Sequence, residues 1–295
     1  GSWWLSMLFL NNYQILDKFC AGWTWYLSVD MQCFLVIPIL AVLYKANRIV
    51  AYVALALTYC GCLASFFWVG YHYKMNTFSL ADPSYTEWYM RAYTRAPTYL
   101  IGVFMGFVYL EYYNARIKGG DDSLVWRVTK IVRRSRITRF CLYAVGITFI
   151  CLAIFGDYPN IKNPKDFSRN ENVFFGVLSR STFVVGFTLL FLPNLFGVTN
   201  FFSDLIGGRL WTIPARVVYA TYLVHPMMLD LYVFSTQTYV AYTSTWVLYA
   251  VGAFVTMAFA TGCIFSLAVE VPFMNMEKTF LLPAKKPQKE SSKNQ

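Results

Sequence analysis

Charge is what this chain has least of: 14% of its 295 residues are Asp, Glu, Lys or Arg, while 57% are hydrophobic. A chain so composed cannot cover a water-facing surface of ordinary polarity, which excludes a soluble globular protein. Histidine is scarcer still, with His72 and His225 as the full complement, so a multi-histidine metal centre is excluded. Seven cysteines occur without a CxxC pair or a zinc spacing, and six of them lie within or against apolar runs, where they read as core thiols. There is no glycine-rich phosphate loop, no complete Ser/His/Asp set, no internal repeat and no Asn-x-Ser/Thr sequon. No metal and no bound cofactor are expected.

What the chain has is apolar length. Seven stretches, near 23–44, 49–70, 96–114, 138–156, 173–196, 213–235 and 244–269, are long enough to cross a hydrocarbon core of ~30 Å as helices. The expected fold is therefore all-α, one polytopic helical membrane domain over 23–278. An interfacial segment at 1–22 precedes it, and a disordered Lys-rich tail at 279–295 follows. The net charge of +10 raises nucleic acid as a partner. Its distribution argues otherwise, since 45–48, 115–139, 197–212 and the tail after Met276 hold 16 Lys and Arg, against 7 in 1–22, 71–95, 157–172 and 236–243. That alternation follows the positive-inside rule and places Gly1 outside and the tail in the cytoplasm, so the implied partner is membrane lipid. A seven-span receptor would share this layout, but the third run closes on Tyr109-Leu110-Glu111-Tyr112 rather than Asp-Arg-Tyr, and the seventh holds no Asn-Pro-x-x-Tyr.

Polar groups inside the apolar runs mark where chemistry is possible. Asp30 and Arg180 each lie ~10 Å below the outer interface. An acid near a helix centre costs about 2.5–3.5 kcal/mol, so the pair is expected to neutralise each other or to line a polar cavity. Tyr26 precedes Asp30 by one turn on the same face, and Gln32 lies on another. His225 lies at mid-membrane, ~15 Å deep. Pro226 beside it deprives an upstream carbonyl of its donor and kinks the helix. An imidazole there serves either as a base, taking the proton of a hydroxyl that attacks a thioester, or as a neutral side chain bonded to a neighbouring helix. Tyr222 shares its face. Glu270-Val271-Pro272 closes the last run, where Glu270 is expected to cap it or to bond Arg216.

Two loops also carry weight. Over 124–137, Leu124, Val128 and Ile131 fall on one helical face, with Arg127, Lys130, Arg133, Arg134 and Arg136 mainly elsewhere, which reads as an interfacial amphipathic helix. Its cations anchor it at the cytoplasmic surface or hold the phosphates of coenzyme A. The aromatic loop 71–95 forms an interfacial belt or a substrate entrance, and 157–172 reads as irregular and external. Cys20, on the outer side, calls for a disulfide partner elsewhere.

The wording of four stretches is more specific than their composition. Trp25-Tyr26-Leu27 followed by Asp30-Met31-Gln32 and Pro38, with Trp3-Trp4 and Leu10-Asn11-Asn12 upstream, resembles the acyltransferase 3 superfamily and its animal branch of nose resistant to fluoxetine proteins. Tyr222-Leu223-Val224-His225-Pro226, and Glu270-Val271-Pro272-Phe273 before Met276-Glu277-Lys278, resemble the same branch's last two spans in the same order. The resemblance implies a ten-span arrangement, with about three spans ahead of Gly1, and a cysteine just before Trp3-Trp4 as the partner of Cys20. It further implies that the family's best-supported catalytic histidine belongs to the first span, so that this stretch alone is expected to be inactive and His225 to line the site.

On that basis the expected function is a membrane O-acyltransferase. An acyl group passes from acyl-CoA, the donor substrate, to a hydroxyl of a lipid or small-molecule acceptor, with Asp30, Tyr26, Gln32, Arg180 and Tyr222 lining the site. The alternative is a transporter of lipids or amphiphilic drug-like molecules without acyl transfer, which intramembrane charges and a kinked helix fit equally well.

Overall fold

Helix boundaries follow the polar punctuation of the sequence. The computed structural model describes residues 3–14, 21–74, 85–120, 123–162, 168–199, 201–237 and 243–280. Among them regular structure is helical throughout, without strands, and the fold is that of an all-α polytopic membrane protein. The described chain divides into two units, Gly1–Phe201 and Phe202–Gln295. Cys20, residues 75–84 and 163–167 of the two outer loops, and the tail from 281 lie outside the described residues.

In the first unit, the short helix α1 (Trp3–Met7) and a 3-10 turn (Asn11–Tyr13) lead to α2 (Trp25–Phe34) and α3 (Val36–Ala46). These two helices form the first span, interrupted at Leu35. Pro38 accounts for the break, because it has no N–H to offer the carbonyl of Phe34 one turn back. Asn47 then starts α4 (Arg48–His72), its side chain accepting from the Ile49 and Val50 N–H groups at 2.9 and 3.3 Å. Helix α5 (Tyr85–Tyr89) precedes α6 (Ala92–Ile117). The amphipathic stretch forms α7 (Leu124–Arg134), and Ser135 parts it from α8 (Arg136–Phe155) by accepting from the Thr138 N–H. Part of the loop expected to be irregular is the short helix α9 (Tyr158–Lys162), before α10 (Arg169–Leu195) opens on a Ser168/Glu171 capping box.

Helix α4 packs against α3, α6 and α10. Phe66, Val69, Trp88, Val173 and Val177 fill one end of this bundle, and Leu40, Ala51, Leu55, Leu100 and Phe107 fill its middle. Helices α8 and α10 meet where neither has a side chain: a Cβ on Gly146 would lie 2.9 Å from Gly186 O, and one on Gly186 2.8 Å from Gly146 O. Lipid tails are as apolar as leucine, so such crossings draw on close backbone approach rather than on a hydrophobic drive.

In the second unit, α11 (Phe201–Ile206) leads to α12 (Thr212–Ser235), which pairs with α13 (Ser244–Phe265). The crossing again needs a glycine, because a Cβ on Gly262 would fall 2.2 Å from Thr221 Oγ1. The helix does not stop near 269 as expected. A π turn (Ser266–Glu270) carries it into α14 (Val271–Phe280), and Pro272 supplies the cause by withholding an N–H from the Ala268 carbonyl.

Among the described residues, six helices are long and apolar enough to cross a membrane, beginning at Gly22, Arg48, Arg136, Arg169, Arg209 and Ser244. The seventh expected span lies in α6. At 26 residues it is ~39 Å long and packs among the others, but Glu111 and four tyrosines between Tyr99 and Tyr113 dilute its apolarity.

Candidate functional site

A polar network begins where the 3-10 turn docks on α2. Asn11 and Asn12 are fully buried, so their amides need partners. Asn11 Nδ2 donates to Thr24 Oγ1 at 2.7 Å, and Ser28 Oγ donates to Asn11 Oδ1. Asn12 and Gln32 exchange amide bonds, Nδ2 to Oε1 at 3.2 Å and Nε2 to Oδ1 at 2.9 Å, and Gln32 Nε2 also reaches Phe9 O at 2.7 Å. Helical spacing explains the selection: Ser28 and Gln32, one turn apart, face the docked turn, while Tyr26 and Asp30 face away from it.

The network continues into α5 and α6. Arg91 Nη1 donates to Asn12 O at 2.8 Å, while its Nε and Nη2 grip the Glu87 carboxylate as a fork. Burial pulls the Arg91 guanidinium down, but the bonds to Glu87 and its charge outweigh this and hold it above the ordinary arginine value. One turn on, Arg95 Nε donates to Tyr89 O at 2.9 Å, and its guanidinium lies 4.2 Å from the Tyr89 ring centre and 5.2 Å from that of Trp25. Its Nη2 is buried and has no hydrogen-bond partner among the described residues.

Arg180 lies near the same ring. Its guanidinium lies 5.1 Å from Tyr89, 5.4 Å from Phe66 and 5.7 Å from Trp88. Asp30 is exposed on α2 and makes no ion pair with Arg180. The expected pairing of Asp30 with Arg180 is therefore corrected: equal depth on two helices does not fix azimuth, and three aromatic rings lie against the cation. Asp30 shares its exposed strip with Tyr26, and Tyr99 and Cys33 lie within its electrostatic range.

In the second unit, Pro226 and His225 act together. A proline at 226 leaves the Tyr222 carbonyl without its helical donor. His225 Nδ1 takes that place at 2.8 Å, with the two rings 5.8 Å apart. A carbonyl oxygen only accepts, so Nδ1 carries the hydrogen and the lone pair of the neutral imidazole sits on Nε2. Among the described residues Nε2 has no hydrogen-bond partner, and the side chain is half-buried. Arg216 is exposed and does not pair with Glu270, whose carboxylate accepts from Ser266 Oγ at 2.8 Å within the π turn. No group of three or more His, Cys, Asp or Glu placed to hold a metal occurs among the described residues.

A family model described as an acyltransferase domain, that of the acyltransferase 3 family, matches residues 1–265. The chain belongs to this family. It is also similar to nose resistant to fluoxetine protein 6 of Caenorhabditis elegans, 23% identical over 94% of this chain and 34% of that protein. The chain thus spans about a third of the length of that curated relative. No solved structure matches it.

Within this acyltransferase 3 member, the residues singled out from sequence divide by neighbourhood. Tyr26 and Asp30 share one strip, Gln32 belongs to the buried network, and Tyr222 and His225 stand together. Sequence reasoning passed over Arg95 and Glu87. The available signal was the four-residue spacing of Glu87, Arg91 and Arg95, three charges in nine residues ahead of an apolar run, although the helix breaks at Arg91. It was hidden because Arg95 directly precedes an apolar run and reads as an interfacial anchor.

Proposed function

We propose that the protein is a membrane O-acyltransferase that moves an acyl group from acyl-CoA to a hydroxyl of a lipid or small-molecule acceptor. The observation that carries this reading is the Nδ1–H bond of His225 to the carbonyl that Pro226 frees, which leaves a basic nitrogen directed elsewhere at mid-helix. In the proposed step, Nε2 takes the acceptor's hydroxyl proton as that oxygen attacks the thioester carbonyl. The C–S bond then breaks, and the imidazolium returns the proton to the departing coenzyme A sulfur. In the first unit, Tyr26 and Asp30 share an exposed strip, a separate polar surface for binding substrate. Gln32, whose amide is taken up by Asn12 and Phe9, holds α2 in place, and Arg95 and Arg180 set the potential around Tyr89. Membership of the acyltransferase 3 family supports the reaction class.

Coenzyme A release by the protein at its full natural length, in lipid nanodiscs with acyl-CoA, tests the proposal. His225→Ala is expected to lower turnover by roughly 10²–10⁴-fold, the range for a general base, in protein that remains folded. Wild-type turnover that survives this substitution would refute the role of His225. Absence of turnover with any donor, alongside amphiphile binding that depends on the same residues, would establish transport instead.

A further inference from the structure

One cavity in the first unit belongs to none of the polar groups above. It occupies about 670 Å³ between α4, α6, α7 and α10, with Ala56, Leu100, Phe104, Leu124, Val128 and Leu189 among its walls. That volume is in the range of ligand sites, ~300–1,000 Å³, yet no charged side chain lines it. Its two wall residues with engaged hydroxyls turn carbon to the space: Tyr52 donates to Glu111 at 3.1 Å and Thr188 to Val184 O at 2.8 Å. Phe104, in the middle of α6, and Leu124 and Val128 on α7 are both walls and exposed residues. The opening therefore runs along the flank of the bundle, which lipid reaches, rather than through a polar end.

Helix α7 gives the opening its chemistry. Val125, Thr129 and Val132 form its inner face, with Thr129 and Val132 fully buried. Leu124, Val128 and Ile131 form an exposed apolar stripe that runs into the cavity, and Arg127, Lys130 and Arg134 form an exposed cationic row opposite the buried face. Arg133 and Arg136 beside it, and Arg116 and Lys118 at the end of α6, are also exposed. A helix with this division lies in the plane of the membrane surface, apolar stripe down and cations at headgroup level.

We infer that the α4/α6/α7/α10 cavity holds one acyl chain of an anionic glycerophospholipid, whose phosphate rests on the cationic row of α7. The carbon walls take the chain, the flank opening admits it from the bilayer, and the cations select the headgroup. The site is independent of acyl transfer, because it involves neither His225 nor the Asn12, Arg91 and Tyr89 network.

The test is native mass spectrometry of the protein released from nanodiscs of equal phosphatidylglycerol and phosphatidylcholine. Wild type is expected to retain phosphatidylglycerol in clear preference. Ala56→Trp, which fills the cavity, is expected to lose the retained lipid, and Val128→Trp repeats the test from the α7 side should the first variant misfold. Arg127→Glu with Lys130→Glu changes only exposed positions. It is expected to weaken phosphatidylglycerol retention by about tenfold or more while chain binding persists, as two reversed charges near an anionic surface require. Equal retention of both lipids by wild type, or full retention by a folded cavity-filled variant, would overturn the inference. So would displacement of phosphatidylglycerol by an equal concentration of palmitoyl-CoA, which would make the cavity a donor site.

Discussion

Replacing Pro226 by Ala should make the protein more stable and less active, and the opposite signs are the diagnostic. Alanine restores an N–H one turn beyond the Tyr222 carbonyl, the acceptor that His225 Nδ1 now occupies at 2.8 Å. Proline inside a helix costs about 3 kcal/mol relative to alanine. The imidazole–carbonyl bond that would be displaced is worth about 1 kcal/mol net. The balance favours the variant by roughly 2 kcal/mol, so its melting temperature should rise. Function should move the other way, because an imidazole released from its orienting carbonyl no longer presents Nε2 as the fixed lone pair. Losing an orienting partner of this kind typically costs about 10–100-fold in activity. The tautomer is open to direct measurement, since the chain holds two histidines and His72→Gln leaves one. Nitrogen-15 chemical shifts of His225 should report hydrogen on Nδ1 in the Pro226 protein and a mixture in Pro226→Ala. An unchanged tautomer, or stability and coenzyme A release that rise together, would refute the coupling of proline, carbonyl and base.

Three further outcomes follow from the packing. Gly146→Val and Gly186→Val should each lose about 1–3 kcal/mol by forcing α8 from α10, whereas Gly102→Ala, whose new Cβ meets nothing within 4 Å, should be neutral or stabilising; equal effects in thermal unfolding would show that the crossing does not depend on close approach. Glu87→Gln and Arg91→Gln should each cost about 1–3 kcal/mol and be strongly non-additive in a double-mutant cycle, and simple additivity would mean that the two side chains have no net interaction energy. Asp30→Asn should leave stability within about 0.5 kcal/mol, since Asp30 is exposed and makes no pair with Arg180; a coupling energy above that between the two positions would contradict the aromatic placement of Arg180.

The amino-acid sequence by itself determined the helical class and the amphipathic character of α7. Those properties are local: run length, residue spacing and a capping serine act within a few turns of the same helix. It also carried the family, through short stretches kept in order from Trp3 to Lys278. Pro38, Pro226 and Pro272 were each visible, but whether a proline breaks a helix, frees a carbonyl or widens a turn depends on what takes the missing bond. At Pro226 the taker was the adjacent histidine. At Pro272 the helix absorbed the loss as a π turn, so the final run continued.

Tertiary structure decided the partners. Depth along a helix follows from residue number, at ~1.5 Å per residue, but the direction in which a side chain leaves the bundle depends on how every helix is rotated against its neighbours. Asp30 and Arg180 agree in the first quantity and differ in the second. Asn12, Gln32 and Arg91 meet across as many as 79 residues of sequence, and no periodicity encodes that meeting. The α4/α6/α7/α10 cavity is likewise a property of four surfaces that fail to fill the space between them, which no single helix reveals.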